Sequence, residues 1–163
     1  EETFRALDQL TRDGKIRSFG VSNFDVEDMQ EALAITGPGR IVCNQVLYHL
    51  RQRAIEHSVI PWCQKNGVAV VAYSPFGSGR FPAARTPGGQ LLGQIAKKYD
   101  VSPRAVALRF LVRQKEVFAI PKSSQVGHVI DNASAVAFEL TAEEVNQIDQ
   151  AFPLGKSKML PTL

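Results

Sequence analysis

Four short apolar runs recur along the chain, and a stretch with helical periodicity stands between each and the next. Strands separated by helical segments indicate parallel βαβ units, so this alternation restricts the fold more than any other feature. The runs read as strands are IRSFGVSNF (Ile16 to Phe24), IVCNQV (Ile41 to Val46), VAVVAYS (Val68 to Ser74) and VFAIPKSS from Val117. An amphipathic helix precedes the first, with Phe4, Leu7 and Leu10 on one face and Gly14 as its stop. Asp25 begins a second helix with Val26, Met29 and Leu33 on one face, stopped near Gly37-Pro38-Gly39. Pro61 suits the first turn of a third, PWCQKNG, with Gly67 as its stop. Helices are also predicted at Gln90 to Tyr99 and along RAVALRFLVRQ, the latter behind Ser102 as N-cap and Pro103 at N1. The last two are Val126 to Ser134 and Ala142 to Phe152, where Thr141 and Glu144 form a capping box. Between the third strand and the helix from Gln90, Phe76 to Gly89 reads as a Gly/Pro-rich loop of a length that goes with function or mobility, and the tail after Pro153 reads as irregular.

Each strand ends in polar or aromatic groups: Ser22-Asn23, Asn44-Gln45, Tyr73-Ser74 and Lys122-Ser123. In a barrel these ends gather at the C-terminal face, where barrel enzymes keep their sites. No GxGxxG follows the first strand and no P-loop is present, which argues against a doubly wound dinucleotide-binding sheet. With 163 residues, 44% of them hydrophobic, residues 1–163 are expected to form a single domain. Cys43 and Cys63 lie in apolar stretches, without a CxxC or a signal-like N-terminus, and read as reduced core thiols of a cytoplasmic protein. The apolar stretches fall short of the ~18 residues of a membrane span, and no membrane partner is expected. The net charge is +3, but Arg12, Lys15, Arg17, Lys97, Lys98, Arg109 and Arg113 are scattered among acidic residues. That is a solvated surface, without the clustered stripe a nucleic-acid face needs.

GKIRSFGVSNF, CNQVLYHL, VAVVAYSPFG and AIPKSS with HVIDNA, in this order and spacing over nearly the whole chain, resemble the second half of an aldo-keto reductase. The resemblance implies an α/β fold, a partial TIM (β/α)8 barrel with four parallel strands and surrounding helices. It implies an oxidoreductase that passes a hydride from a nicotinamide cofactor to the carbonyl carbon of a small aldehyde or ketone. In the family a tyrosine donates the proton, helped by a lysine–aspartate pair and a histidine, and all four sit on strand ends of the other half. Tyr48, Tyr73 and Tyr99 do not occupy that motif, and His49, His57 and His128 do not stand in the histidine's context. No catalytic residue and no metal site is therefore assigned to this chain, which is expected to be inactive alone.

The positions that match the family are those of the cofactor cradle, and they imply NADP(H). Tyr73 would stack on the nicotinamide, while Ser22, Asn23 and Gln45 match positions that hydrogen-bond its carboxamide. Ser74 and the backbone of Phe76, Gly77 and Ser78 match the segment approaching the pyrophosphate, where glycine admits main-chain N–H groups close to charged oxygens. Lys122 and Ser123 match residues that meet the adenosine 2'-phosphate, which favours NADP over NAD. Two positions depart from the family. His128 stands where relatives have an arginine, so phosphate affinity is expected to be lower and pH dependent. Asp131 stands for the usual glutamate beside the adenine, while Asn132 is a direct match.

Each residue also has a plain structural reading. Tyr73 alone would be packing, Ser22-Asn23 an N-cap pair, Asn44-Gln45 partners for loop backbone and Lys122-Ser123 a helix-entry turn. Their joint occurrence at successive strand ends favours the cofactor site. The chain starts in mid-architecture without an initiator methionine, and half a barrel leaves two open sheet edges. It is expected to be a fragment, or to pair with itself or with a complementary half-barrel. The alternative function is a noncatalytic nucleotide-binding or regulatory module.

Overall fold

The structure is a computed structural model that describes residues 1–156 and 160. Local chemistry sets the start of most of its helices. Asp25 and Thr141 close capping boxes with Asp28 and Glu144 at the starts of α2 (Val26–Thr36) and α7 (Ala142–Ala151). Thr86 and Ser102 accept from backbone N–H groups at the starts of α4 (Pro87–Tyr99) and α5 (Pro103–Leu111), each with proline at its first position. The remaining helices are α1 (Glu2–Arg12), α3 (Val59–Lys65) and α6 (Val126–Ser134).

Strands β1 (Phe19–Ser22), β2 (Ile41–Leu47), β3 (Ala69–Tyr73) and β4 (Val117–Ala119) form one sheet in chain order, every pair parallel. Side chains alternate between its two faces. Phe19, Ile41, Val46, Val70, Ala72 and Val117 are buried and join one core with Met29, Ile60, Leu92, Phe110 and Ile148 of the helices. On the other face Ser22, Gln45, Val71 and Phe118 share one register row, and Phe118 is 57% exposed. One side of the sheet is therefore packed and the other is open.

Several boundaries differ from the sequence expectations. The strand predicted over Ile16 to Phe24 is confined to Phe19–Ser22, because Asn23 turns to a φ of 58° and leaves the extended region. Helix α3 starts at Val59, two residues before Pro61, which keeps proline in the first turn. The loop predicted to Gly89 ends at Thr86. Its last glycines are helical and serve packing: a Cβ on Gly88 would lie 2.5 Å from the Phe152 ring, and one on Gly89 2.1 Å from the Ala83 carbonyl oxygen. The predicted helix to Phe152 ends at Ala151, and the predicted irregular tail holds for Pro153 to Lys156, the rest lying outside the described residues except Leu160. Leu10, expected on the buried face of α1, is 40% exposed, while Phe4 and Leu7 are partly buried against the core. Of the two cysteines expected in the core, Cys63 is buried, which pushes its thiol up to about 11, but Cys43 is only half-buried on the open face. No helix among the described residues is long and apolar enough to cross a membrane.

Two polar clusters tie the layers together. Arg53, 4% exposed, pairs with Glu56 and Asp149 and donates to the Phe152 carbonyl at 2.7 Å, while Arg113 and the Tyr48 hydroxyl also reach Glu56. Burial raises the Glu56 pKa, but hydrogen bonds from Arg53 and Tyr48 and the charges of Arg113 and Arg53 outweigh it and hold the carboxyl below its ordinary range. The second cluster joins α4 to α7. Glu144 accepts from Lys98 at 2.8 Å, from the Tyr99 hydroxyl at 2.7 Å and from the Thr141 N–H at 2.8 Å.

Burial pushes the Glu144 carboxyl up, yet the bonds from Lys98, Thr141 and Tyr99 prevail and lower it from 4.5 to about 2. The folded state therefore binds this proton less tightly than the unfolded chain. The stabilisation is complete above the unfolded pKa and is lost as pH falls from 4.5 toward about 2. In urea denaturation Glu144→Gln is expected to be about 1–2 kcal/mol less stable than the parent at pH 7, a gap that closes as the pH drops through this window. An equal gap at every pH would contradict the assignment.

Candidate cofactor site

Parallel pairing in chain order sets Asn44 and Gln45, which lie inside β2 rather than at its expected end because that strand runs on to Leu47, beside the end of β1 and next to β3. There Asn44, at 0% exposure, works as a local peptide mimic. Its Nδ2 donates to the Phe24 carbonyl at 2.8 Å and its Oδ1 accepts from the Phe24 N–H at 3.4 Å. This double contact holds the chain directly after Asn23 and supports the left-handed turn at that residue. Asn23 in turn donates its N–H to the Gln45 carbonyl at 2.9 Å and accepts from the Tyr73 hydroxyl at 3.1 Å. The Ser22 hydroxyl donates to the same Gln45 carbonyl at 3.0 Å. Ser22, Asn23, Gln45 and Tyr73 are thus brought together across three strands. The side-chain amide of Gln45 bonds no other group among the described residues.

Beyond β3 the backbone takes an uncommon form. Ser74, Gly77, Ser78 and Gly79 all have positive φ, and for the two serines this is a sparsely populated region. The turn is closed by Gly77 N–H to the Ser74 carbonyl at 2.8 Å and by the Ser78 hydroxyl to the Ser74 hydroxyl at 3.1 Å. Gly77 has therefore spent its N–H, whereas those of Phe76 and Ser78 donate to nothing among the described residues. His49 backs the turn: a Cβ on Gly77 would lie 3.4 Å from its Nδ1, which also accepts from the Arg51 N–H. Burial, with Arg51 and Arg80 nearby, lowers the His49 pKa, so the ring is neutral at neutral pH and accepts at that nitrogen.

Lys122, Ser123, His128 and Asn132 line one pocket of about 170 Å³ with Phe76, Arg104 and Asp131. The turn after β3, the loop after β4, the first turn of α5 and the first two turns of α6 form its walls. Ser123 also makes a tight local turn, its hydroxyl bonding the Gln125 N–H at 3.1 Å and carbonyl at 3.2 Å, so its structural reading holds as well. Asp131 accepts from the Ser102 hydroxyl at 2.6 Å and thereby joins α6 to the cap of α5. Arg104 and Phe81 escaped the sequence reading. Their rings and guanidinium interlock: Phe76 meets Phe81 edge-on at 5.8 Å, and Arg104 lies 5.7 Å and 5.0 Å from the two ring centres. The available signal was a lone arginine in the first turn of a helix, where the macrodipole disfavours a cation.

The sequence model described as "Aldo/keto reductase family" matches residues 1–152. This chain belongs to the aldo/keto reductase family. It is similar to methylglyoxal reductase YeaE of Escherichia coli, 40% identical over 97% of this chain and 56% of that protein. It is also similar to the glyoxal reductase of Bacillus subtilis, 36% identical over 91% of this chain and 51% of that one. Among solved structures, an aldo-keto reductase from Klebsiella pneumoniae in complex with NADPH superposes with a TM-score of 0.88 and 37% identity, covering 99% of this chain and 57% of its own. The chain spans about half the length of the curated relatives it matches, and its four βα units are a partial (β/α)8 barrel.

A member of this family needs a cradle for a dinucleotide, and the chemistry of these groups fits one. Amide and hydroxyl groups, an aromatic ring, unspent main-chain N–H donors and a basic pocket stand in sequence from β1 to α6. The cradle depends on Asn44, so Asn44→Ala is expected to cost about 2–3 kcal/mol in urea denaturation, because both Phe24 backbone groups lose their partner. Gln45→Ala, next to it, is expected to stay within about 0.5 kcal/mol of the parent. Equal losses for the two would show that Asn44 does not pin the turn.

Proposed function

We propose that this chain holds the cofactor of an NADP(H)-dependent carbonyl reductase and supplies that half of the active site. The observation that carries the reading is the basic pocket of Lys122, Ser123, His128 and Asn132 in continuity with the Phe76 to Ser78 turn, in a chain whose structural relatives include NADPH complexes. In this reading Lys122 and Ser123 meet the 2'-phosphate, and Asn132 meets the adenine. The N–H groups of Phe76 and Ser78, with the Ser74 hydroxyl, meet the pyrophosphate, where Gly77 lets the main chain come close. Tyr73 covers one face of the nicotinamide ring, and Ser22, Asn23 and Gln45 hold its carboxamide. The bound cofactor supplies a hydride. Tyr73, locked to Asn23, fixes which ring face stays open toward the carbonyl compound. Substrates are small aldehydes or ketones, and dicarbonyls such as methylglyoxal are the first to try, since YeaE is named for that reduction.

The proton must come from elsewhere. The Tyr48 hydroxyl is fully buried on Glu56, and its pKa is pushed well above the ordinary range by burial and by that carboxylate. Tyr99 is bound to Glu144, whose hydrogen bond together with burial raises its pKa too. Neither is a poised acid, and Tyr73 belongs to the cradle. The chain by itself is therefore a nucleotide-binding module without turnover, and its open sheet face is covered by a second copy or by a complementary half-barrel. A mass of 17.9 kDa by sedimentation at micromolar concentration would exclude the paired form.

Fluorescence titration of the folded chain is expected to show saturable NADPH binding, with NADH about tenfold weaker or more. Tyr73→Ala should weaken both, since it removes the ring cover. Methylglyoxal or 4-nitrobenzaldehyde with NADPH should give no turnover. Absent NADPH binding would refute the cofactor reading, and turnover by the pure chain would refute the missing acid.

A further inference from the structure

We infer that Arg104 supplies the guanidinium for the 2'-phosphate that position 128 lacks, and so sets the preference for a phosphorylated nicotinamide cofactor. This rests on the cofactor reading of the pocket given above. The sequence pattern left a histidine at 128 with Lys122 as the one permanent cation of the site. The fold adds a second from another helix, because Arg104 in the first turn of α5 lines the same pocket.

Three observations assign it to an anion. No ion pair among the described residues includes Arg104. The one acidic residue lining the pocket, Asp131, is engaged by the Ser102 hydroxyl at 2.6 Å. The first turns of α5 and α6 hold no acidic residue of their own, and in the pocket lining two permanent cations, Arg104 and Lys122, stand against the single carboxylate of Asp131. A first-turn arginine works against the helix dipole unless an anion binds between them.

The guanidinium is also held in place. Its contacts with Phe76 and Phe81 are made through ring faces, which cost it no N–H donor. A planar fork with its donors unspent suits a phosphate better than the flexible ammonium of Lys122, and the two divide the work of orientation and charge. The same contacts clamp the Phe76 turn onto α5, so two roles for Arg104 must be separated. A clamp affects every nucleotide that uses the turn. A phosphate ligand affects only those with a 2'-phosphate.

The test is binding of NADPH, NADH, 2',5'-ADP and 5'-AMP to the parent chain, to Arg104→Met and to Arg104→Met/His128→Arg. With parental NADPH binding intact, Arg104→Met is expected to raise the dissociation constants of NADPH and 2',5'-ADP by about tenfold or more, the scale of one charge-assisted hydrogen bond. Those of NADH and 5'-AMP should change by less than about twofold. Restoring an arginine at 128 in that background should recover most of the NADPH affinity. An equal loss for NADPH and NADH would reduce Arg104 to a clamp, and no loss, or no recovery in the double variant, would overturn the proposal. Failure of the parent chain to bind NADPH is a separate result, and it would defeat the cofactor reading itself.

Discussion

Parallel pairing of four strands in chain order is the constraint on which everything else rests. It points every strand toward the same end of the sheet, so residues as far apart as Asn23 and Tyr73 come within hydrogen-bond distance across the strand between them. An antiparallel arrangement of the same runs would send alternate ends to opposite sides. The helices follow from this, since each crossover must carry the chain back along the packed face. Caps at Asp25 for the first crossover and at Thr86 and Ser102 for the third fix where those helices begin.

The order and type of the elements were legible in the sequence because helical periodicity, caps and apolar runs are local signals. The boundaries that shifted were set by tertiary contacts. Gly88 and Gly89 have the composition of a loop, but they sit in a helix whose start is packed against Phe152 and Ala83. Cys43 looked like a core thiol because its neighbours are apolar, yet strand alternation beside a register irregularity turns it toward the open face. That Ser22, Asn23, Gln45 and Tyr73 come together, and that Lys122, Ser123, His128 and Asn132 share a pocket, was legible from their places along the chain, while the bonds each one makes were not. Asn44 and Gln45 look interchangeable in sequence; one spends its amide on Phe24 and the other leaves it unbonded among the described residues. Arg104 carried a local signal as a cation in the first turn of a helix, but which pocket that helix faces is set by tertiary packing and is encoded by no local pattern.

The open face and the apolar surface of α6 belong to the same picture. Val126 is 77% and Ile130 66% exposed, and Phe118 and Ile120 of the β4 region add to them. These exposed apolar residues belong to the terminal strand of the sheet and the helix that follows it, and an uncovered strand edge is prone to pair with another chain. The polar cradle lies at the end of this surface, so its geometry is held by local bonds such as Asn44 to Phe24 rather than by enclosure.

The most direct test of the central claim, that separate strand ends form one cradle, is amide hydrogen exchange of the chain with and without saturating NADPH. The account predicts joint protection in segments 22–24, 73–80 and 122–132, with little change in the Glu144 cluster on the far side of α4. Protection confined to one of these segments, or none at saturation, would contradict it.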